Sequence, residues 1–258
     1  MPVFFRELKR NKLLVIIWSA ASAGMLAVSL IIYPLMVSSL QSLAEMGDAF
    51  SAMGLSAQSF LDYTGYYASE ISSVIGIGGA IFAALIGVNA LSREEKGHTA
   101  EFLLTHPVSR VRVVLEKLLA VVAACVVLNV ASAALGAASS AVIGEKADAG
   151  VIALTFLAHF IMHVEVASIC FLLGSFLSRG AIAAGLGTAF GAYVIYIVAN
   201  VTEKTRFLKY VTPFGYAEGS EIAACGGIHG GYLAVGLTIT AACIIAAFII
   251  YRKKDIKN

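Results

Sequence analysis

Apolar residues fall in six long blocks separated by short polar breaks, at about residues 13–36, 69–91, 111–143, 151–177, 181–201 and 231–251. Each block reaches the roughly 20 residues that a helix needs to cross a hydrocarbon core. The pattern predicts an all-α membrane protein with six transmembrane helices, and one transmembrane domain over residues 1–258. The second block carries Gly76, Gly78, Gly79 and Gly87. Small residues at that density let helices approach closely in lipid. The first block lacks a small-x-small cleavage site after a short core, so it reads as a retained helix rather than a signal peptide.

The polar breaks differ in character. Residues 1–12 mix Val3, Phe4, Phe5 and Leu8 with Arg6, Lys9, Arg10 and Lys12. This reads as an N-terminal interfacial amphipathic helix, held by apolar burial and anionic lipid. Residues 37–69 form a polar loop without Lys or Arg, with short interfacial helices expected at Leu40–Phe50 and Ser56–Tyr63. Residues 144–150 and 178–180 are tight turns, and 202–230 is a second polar loop. Tyr63, Tyr66, Tyr67, Tyr210 and Tyr216 lie near predicted span ends, as an interfacial aromatic belt would.

Composition supports the membrane reading. Hydrophobic residues make up 59% of the 258, charged residues 13%, and mean hydropathy is +0.88. A soluble domain carries roughly 25% charged residues. Six spans leave no room for a separate soluble catalytic domain. A net charge of +2 is too small to argue for nucleic acid. The four cysteines show no CxxC spacing, so neither a metal site nor a disulfide framework is indicated.

The placement of positive charge adds topology. Of the 18 Lys and Arg, all but Lys146, Lys204, Arg206 and Lys209 fall on the side that holds both termini if the span count is six. The positive-inside rule then makes both termini cytoplasmic in a multi-pass protein of the cell membrane. The first turns of the third span, through Lys117, are expected to project into the cytoplasm.

The segment joining the second and third spans, residues 92–110, faces the same side. Gly97 permits a sharp turn, and Thr99 is a suitable N-cap. Residues 99–105 would form about two helical turns, on the order of 10 Å long, before Pro107 stops them. Phe102, Leu103 and Leu104 offer apolar contact, while Glu95, Glu101 and Arg110 offer charge. On physical grounds alone, this short rod is either a loop resting on the membrane or a docking element for a cytoplasmic partner.

Glu95-Lys96-Gly97-His98-Thr99-Ala100-Glu101-Phe102-Leu103-Leu104-Thr105-His106-Pro107-Val108-Ser109-Arg110, then Leu115-Glu116-Lys117-Leu118-Leu119-Ala120, resembles the E-x-G-T-x-E-x-L-L-x-x-P-V-S-R…K-L-L-A pattern of ABC-2 type transporter permeases. His98 is an insertion between the glycine and the threonine of that pattern. Leu208 to Ala217 is similar to the L-x-x-x-S-P-F stretch before the last span of those permeases, with Thr212 for Ser. The resemblance implies the membrane subunit of an ATP-binding-cassette transporter, moving a substrate by export. It implies a cytoplasmic ATPase partner that binds ATP and Mg, and a second permease copy or relative as homodimer or heterodimer. It also implies a coupling helix between spans 2 and 3, with Glu95, Gly97, Thr99, Glu101, Phe102, Leu103, Leu104, Pro107 and Arg110 as coupling residues. The chain itself contains no G-x-x-x-x-G-K-[ST] phosphate loop, so no cofactor and no enzymatic activity are expected of it.

Polar groups inside the spans are functional suspects. His159 and His163 share a helix face in the fourth span, Glu165 points elsewhere, and Asn129 lies in the third. They read as structural polar contacts, as lining of a transport path or, least favourably, as a metal site. Two rival functions use these observations differently: an ATP-independent secondary transporter, and an intramembrane metal-dependent enzyme built on His159, His163 and Glu165.

Overall fold

The computed structural model describes residues 2–44, 62–96, 109–177 and 179–253, with only the backbone of 38, 40–44, 94–96 and 253. Helix α1 spans Pro2–Ala44. Helix α2 (Tyr63–Glu70) passes through a π-helical segment (Ile71–Gly76) into α3 (Ile77–Lys96). Helices α4 (Arg110–Ile143), α5 (Ala149–Phe176) and α6 (Ala181–Val201) follow. Two 3-10 segments, Glu203–Tyr210 and Pro213–Tyr216, lead to the short α7 (Gly219–Cys225) and then to α8 (Gly230–Lys253). Six of these stretches are long and apolar enough to cross a bilayer.

Local chemistry explains the ends. Ser109 caps α4 by accepting from the Arg112 N–H, and α4 stops at Gly144, whose φ of 78° suits a residue without Cβ. Asp148 caps α5 by accepting from the N–H groups of Gly150 and Val151. Pro34 sits inside α1, where its ring removes a hydrogen bond. Nearby, the Tyr66 hydroxyl donates to the Ser29 carbonyl at 2.9 Å and ties α2 to α1.

The spans are not equally enclosed. Burial reaches 67% in Tyr63–Arg93 and 61% in Ala149–Phe176, but only 17% in Ala181–Val201 and 11% in Gly230–Arg252. The central contact joins α3 and α5. A Cβ on Gly87 would strike the Ala167 carbonyl, and one on Gly174 would strike the Val88 carbonyl. The two backbones therefore touch at reciprocal glycines, closer than larger residues would permit.

Several expectations are revised. Residues 2–12 are not a separate interfacial helix, because α1 continues unbroken from Pro2 into the first span. Lys117, in the first turns of α4, is not a solvated flank; it is fully buried, for the electrostatic reason given below. The proposed helix at Ser56–Tyr63 lies outside the described residues up to 61, and α2 already begins at Tyr63. The 202–230 loop is mostly short helical turns. Tyr63, Tyr66, Tyr67 and Tyr216 are buried rather than belt residues, while Tyr210 is exposed. The first three pack among themselves and with Tyr33 of α1, and the Tyr63 hydroxyl meets Ser140 Oγ at 2.6 Å. Burial of Tyr63 and Tyr66 is tolerated because their hydroxyls find partners in Ser140 and the Ser29 carbonyl.

Candidate functional site

Helix α3 ends at Lys96 and α4 begins at Arg110, so these helices deliver the two ends of the 92–110 segment. Gly97, Thr99, Glu101, Phe102, Leu103, Leu104 and Pro107 lie outside the described residues. Glu95 is placed in the last turn of α3, and Arg110 is the first residue of α4.

Near the end of α3 and the start of α4 lies a charged junction. Lys117 Nζ donates to Glu7 Oε1 at 2.8 Å and to the Ala90 carbonyl at 2.7 Å. One buried ammonium thereby ties α1, α3 and α4 together. Glu7 Oε2 also accepts from Arg10 at 2.7 Å. The neighbouring Glu116 turns the other way. Its Oε2 accepts from the backbone N–H groups of Val3 and Phe4 at 2.9 and 3.1 Å, and Arg112 donates to its Oε1 at 2.9 Å. A carboxylate of α4 thus satisfies two of the orphan donors at the start of α1, where the helix dipole favours negative charge. Arg93 of α3 donates to Asn11 of α1 at 3.1 Å.

Sequence reasoning missed this junction. A signal was present: Glu7 is the only acid among the first twelve residues, and Glu116-Lys117 sits inside the K-L-L-A match.

Deeper in the spans, uncharged polar groups meet. The Ile75 carbonyl in the π-helical segment can only accept, so the His163 Nε2 beside it at 3.1 Å carries the proton. His163 Nδ1 then accepts from Asn129 Nδ2 at 3.0 Å, and the same Nδ2 donates to the Cys125 carbonyl at 2.9 Å. A Cβ on Gly79 would collide with the His163 ring, so the glycine makes room for it. His159 donates from Nδ1 to the Thr155 carbonyl at 2.8 Å and packs on Gly76. His163 has both ring nitrogens engaged, which leaves it no lone pair for a metal. Among the described residues, no three His, Cys, Asp or Glu side chains form a metal-binding group.

Glu165 faces another way, as its position in the helix implies. It accepts from the Tyr216 hydroxyl at 2.8 Å and lies beside Gly236 of α8. Tyr216 belongs to the Thr212-Pro213-Phe214 stretch, so this bond ties the 202–229 cap to α5. Lys209 anchors the cap from within, donating to Glu218 at 2.8 Å and Glu221 at 2.7 Å. Burial pulls the Lys209 pKa down, but its bonds to Glu218 and Glu221 outweigh that and raise it above the ordinary 10.5.

The arrangement places a cluster of ion pairs at the end holding the N-terminus, a neutral hydrogen-bonded node at mid-depth and a folded cap at the far end. No curated protein matches the sequence. The family model described as ABC-2 family transporter protein matches residues 5–256. This chain, a multi-pass membrane component of the transport type, therefore belongs to the ABC-2 transporter family.

Proposed function

We propose that this chain is the permease half of an ATP-driven exporter, with both termini cytoplasmic and with ATP and Mg bound only by a separate ATPase subunit. The observation that carries the reading is the charged junction of Glu7, Lys117 and Glu116 at the ends of α3 and α4. A push on the 92–110 segment from a cytoplasmic ATPase would move α3 and α4 together, and α1 with them through Lys117 and Glu116. Glu95, Gly97, Thr99, Glu101, Phe102, Leu103, Leu104, Pro107 and Arg110 form the contact with the ATPase in this reading.

A second permease copy or relative completes the path. The exposed face of α6 supports this, since Gly187 and Gly191 have open space where a Cβ would stand. Such small-residue faces suit close helix contact in lipid. His159, His163 and Asn129 act here as the internal polar contact of one subunit, because their bonds close within the chain. Glu165 links α5 to the cap.

Co-expression with a candidate ATP-binding-cassette ATPase, followed by purification of the complex, tests the proposal. Glu101→Ala with Phe102→Ala should lower complex yield and uncouple ATP hydrolysis. Unchanged yield and coupling would overturn the docking role. ATP-independent efflux from liposomes containing only this chain would favour the secondary transporter instead.

A further inference from the structure

A groove runs along the outside of the α4–α5 pair. At the end opposite the N-terminus it encloses about 840 Å³, lined by Ala137, Ala141, Ile152 and Phe156, with Glu145 and Lys146 at its mouth. A second hollow of about 250 Å³ continues it toward mid-depth and shares Ala133 and Phe156 with the first. Asn129 lies at that inner end. From Asn129 to Ile143 the helix rises roughly 20 Å, somewhat more than the ~15 Å of one leaflet's hydrocarbon.

Three features specify an occupant. The walls are mainly alanine, isoleucine and phenylalanine, with Tyr67 and Ser140 as the polar exceptions, and suit methylene chains. The mouth carries one anion and one cation side by side, the mirror of a headgroup with a phosphate and an ammonium. The inner end stays apolar, with Val126, Val130, Leu157 and Phe160 around it, so a chain can run past Asn129 without meeting charge.

We propose that this groove is a binding site for one phospholipid of the ethanolamine type, its phosphate on Lys146, its ammonium on Glu145 and one acyl chain laid along α4 and α5 toward Asn129. The site takes its lipid sideways from the leaflet opposite the termini. It requires no ATPase and stands or falls separately from the coupling proposal.

The test uses the full chain in nanodiscs doped with a phosphatidylethanolamine that carries a diazirine along one acyl chain. After illumination, labelled peptides are mapped. Label should concentrate on 126–157. Ala137→Trp, which fills the groove at a lipid-facing position, should abolish that concentration while leaving the sparse labelling of α8 unchanged. Lys146→Glu should lower it, because a second carboxylate at the mouth repels the phosphate. Phosphatidylglycerol with the same diazirine should label the groove less than phosphatidylethanolamine does. Even labelling of every lipid-facing span, insensitive to Ala137→Trp, would overturn the site and leave ordinary annular lipid. Equal groove labelling by both lipids would overturn the headgroup assignment.

Discussion

The two polar junctions of this protein solve the same problem with opposite chemistry. Near the N-terminal end, Glu7, Lys117, Glu116 and Arg112 hold three helices with formal charges. At mid-depth, Asn129, His163 and the Ile75 carbonyl hold α4, α5 and the π-helical segment with hydrogen bonds between uncharged groups. Charge is affordable where arginines and the helix start are nearby to complete each carboxylate. Deep in hydrocarbon an unmatched charge is far more costly, and a donor–acceptor chain does the holding. The comparison teaches that the end facing the proposed ATPase is tightly bound but electrostatically tunable, whereas the centre is a fixed pivot.

Breaking the charged junction should have the largest effect. Lys117→Met leaves Glu7 and the Ala90 carbonyl without their shared ammonium. Loss of one partner from a buried pair costs about 3–5 kcal/mol. Thermal unfolding in detergent should show a clear drop in Tm, and adding Glu7→Gln should recover much of it. An unchanged Tm for Lys117→Met would remove the distinction between the two junctions.

The neutral junction should give an intermediate loss. His163→Leu removes one of the two acceptors of Asn129 Nδ2 and the donor to the Ile75 carbonyl, for about 1–2 kcal/mol. The same unfolding assay measures it, and a loss equal to that of Lys117→Met would contradict the ranking. Tyr216→Phe removes one bond between the cap and α5. It should cost about 0.6 kcal/mol, the average of hydrogen bonds between membrane helices.

The smallest effect concerns pH and only the cap. Lys209 has a folded pKa above its ordinary value of 10.5. Its contribution is therefore fully present below that ordinary value and fades as pH rises through the raised one. Protease nicking of residues 202–229 should stay constant from neutral pH to about 10, then increase. Lys209→Met should be more readily nicked at neutral pH and lose the pH dependence.

The hydrophobic pattern made the six spans legible, because about 20 apolar residues in a row have few other uses. The start of α4 at Arg110 was legible too, since the third apolar block begins at about 111. Lys117 was not, because a lone lysine near a span end reads as a wet flank until Glu7 and Ala90 are brought to it from 110 and 27 residues away. The tyrosines failed for a related reason: position near a span end suits an interfacial belt, but Tyr33 of α1 draws Tyr63 and Tyr66 inward. In the candidate site, the helical spacing of His159 and His163 and the separate direction of Glu165 could be read from one chain. Their partners, Ile75 and Tyr216, could not, since tertiary packing alone selects them.

The central claim is that a cytoplasmic ATPase drives this chain through the segment between α3 and α4. Its most direct test places a photo-crosslinking residue at Phe102 in cells that express the chain with a candidate ATP-binding-cassette ATPase. The account predicts a crosslink to that nucleotide-hydrolysing subunit, altered in yield by ATP and Mg. A crosslink only to lipid, or reaction of position 102 with a reagent confined to the cell exterior, would contradict it.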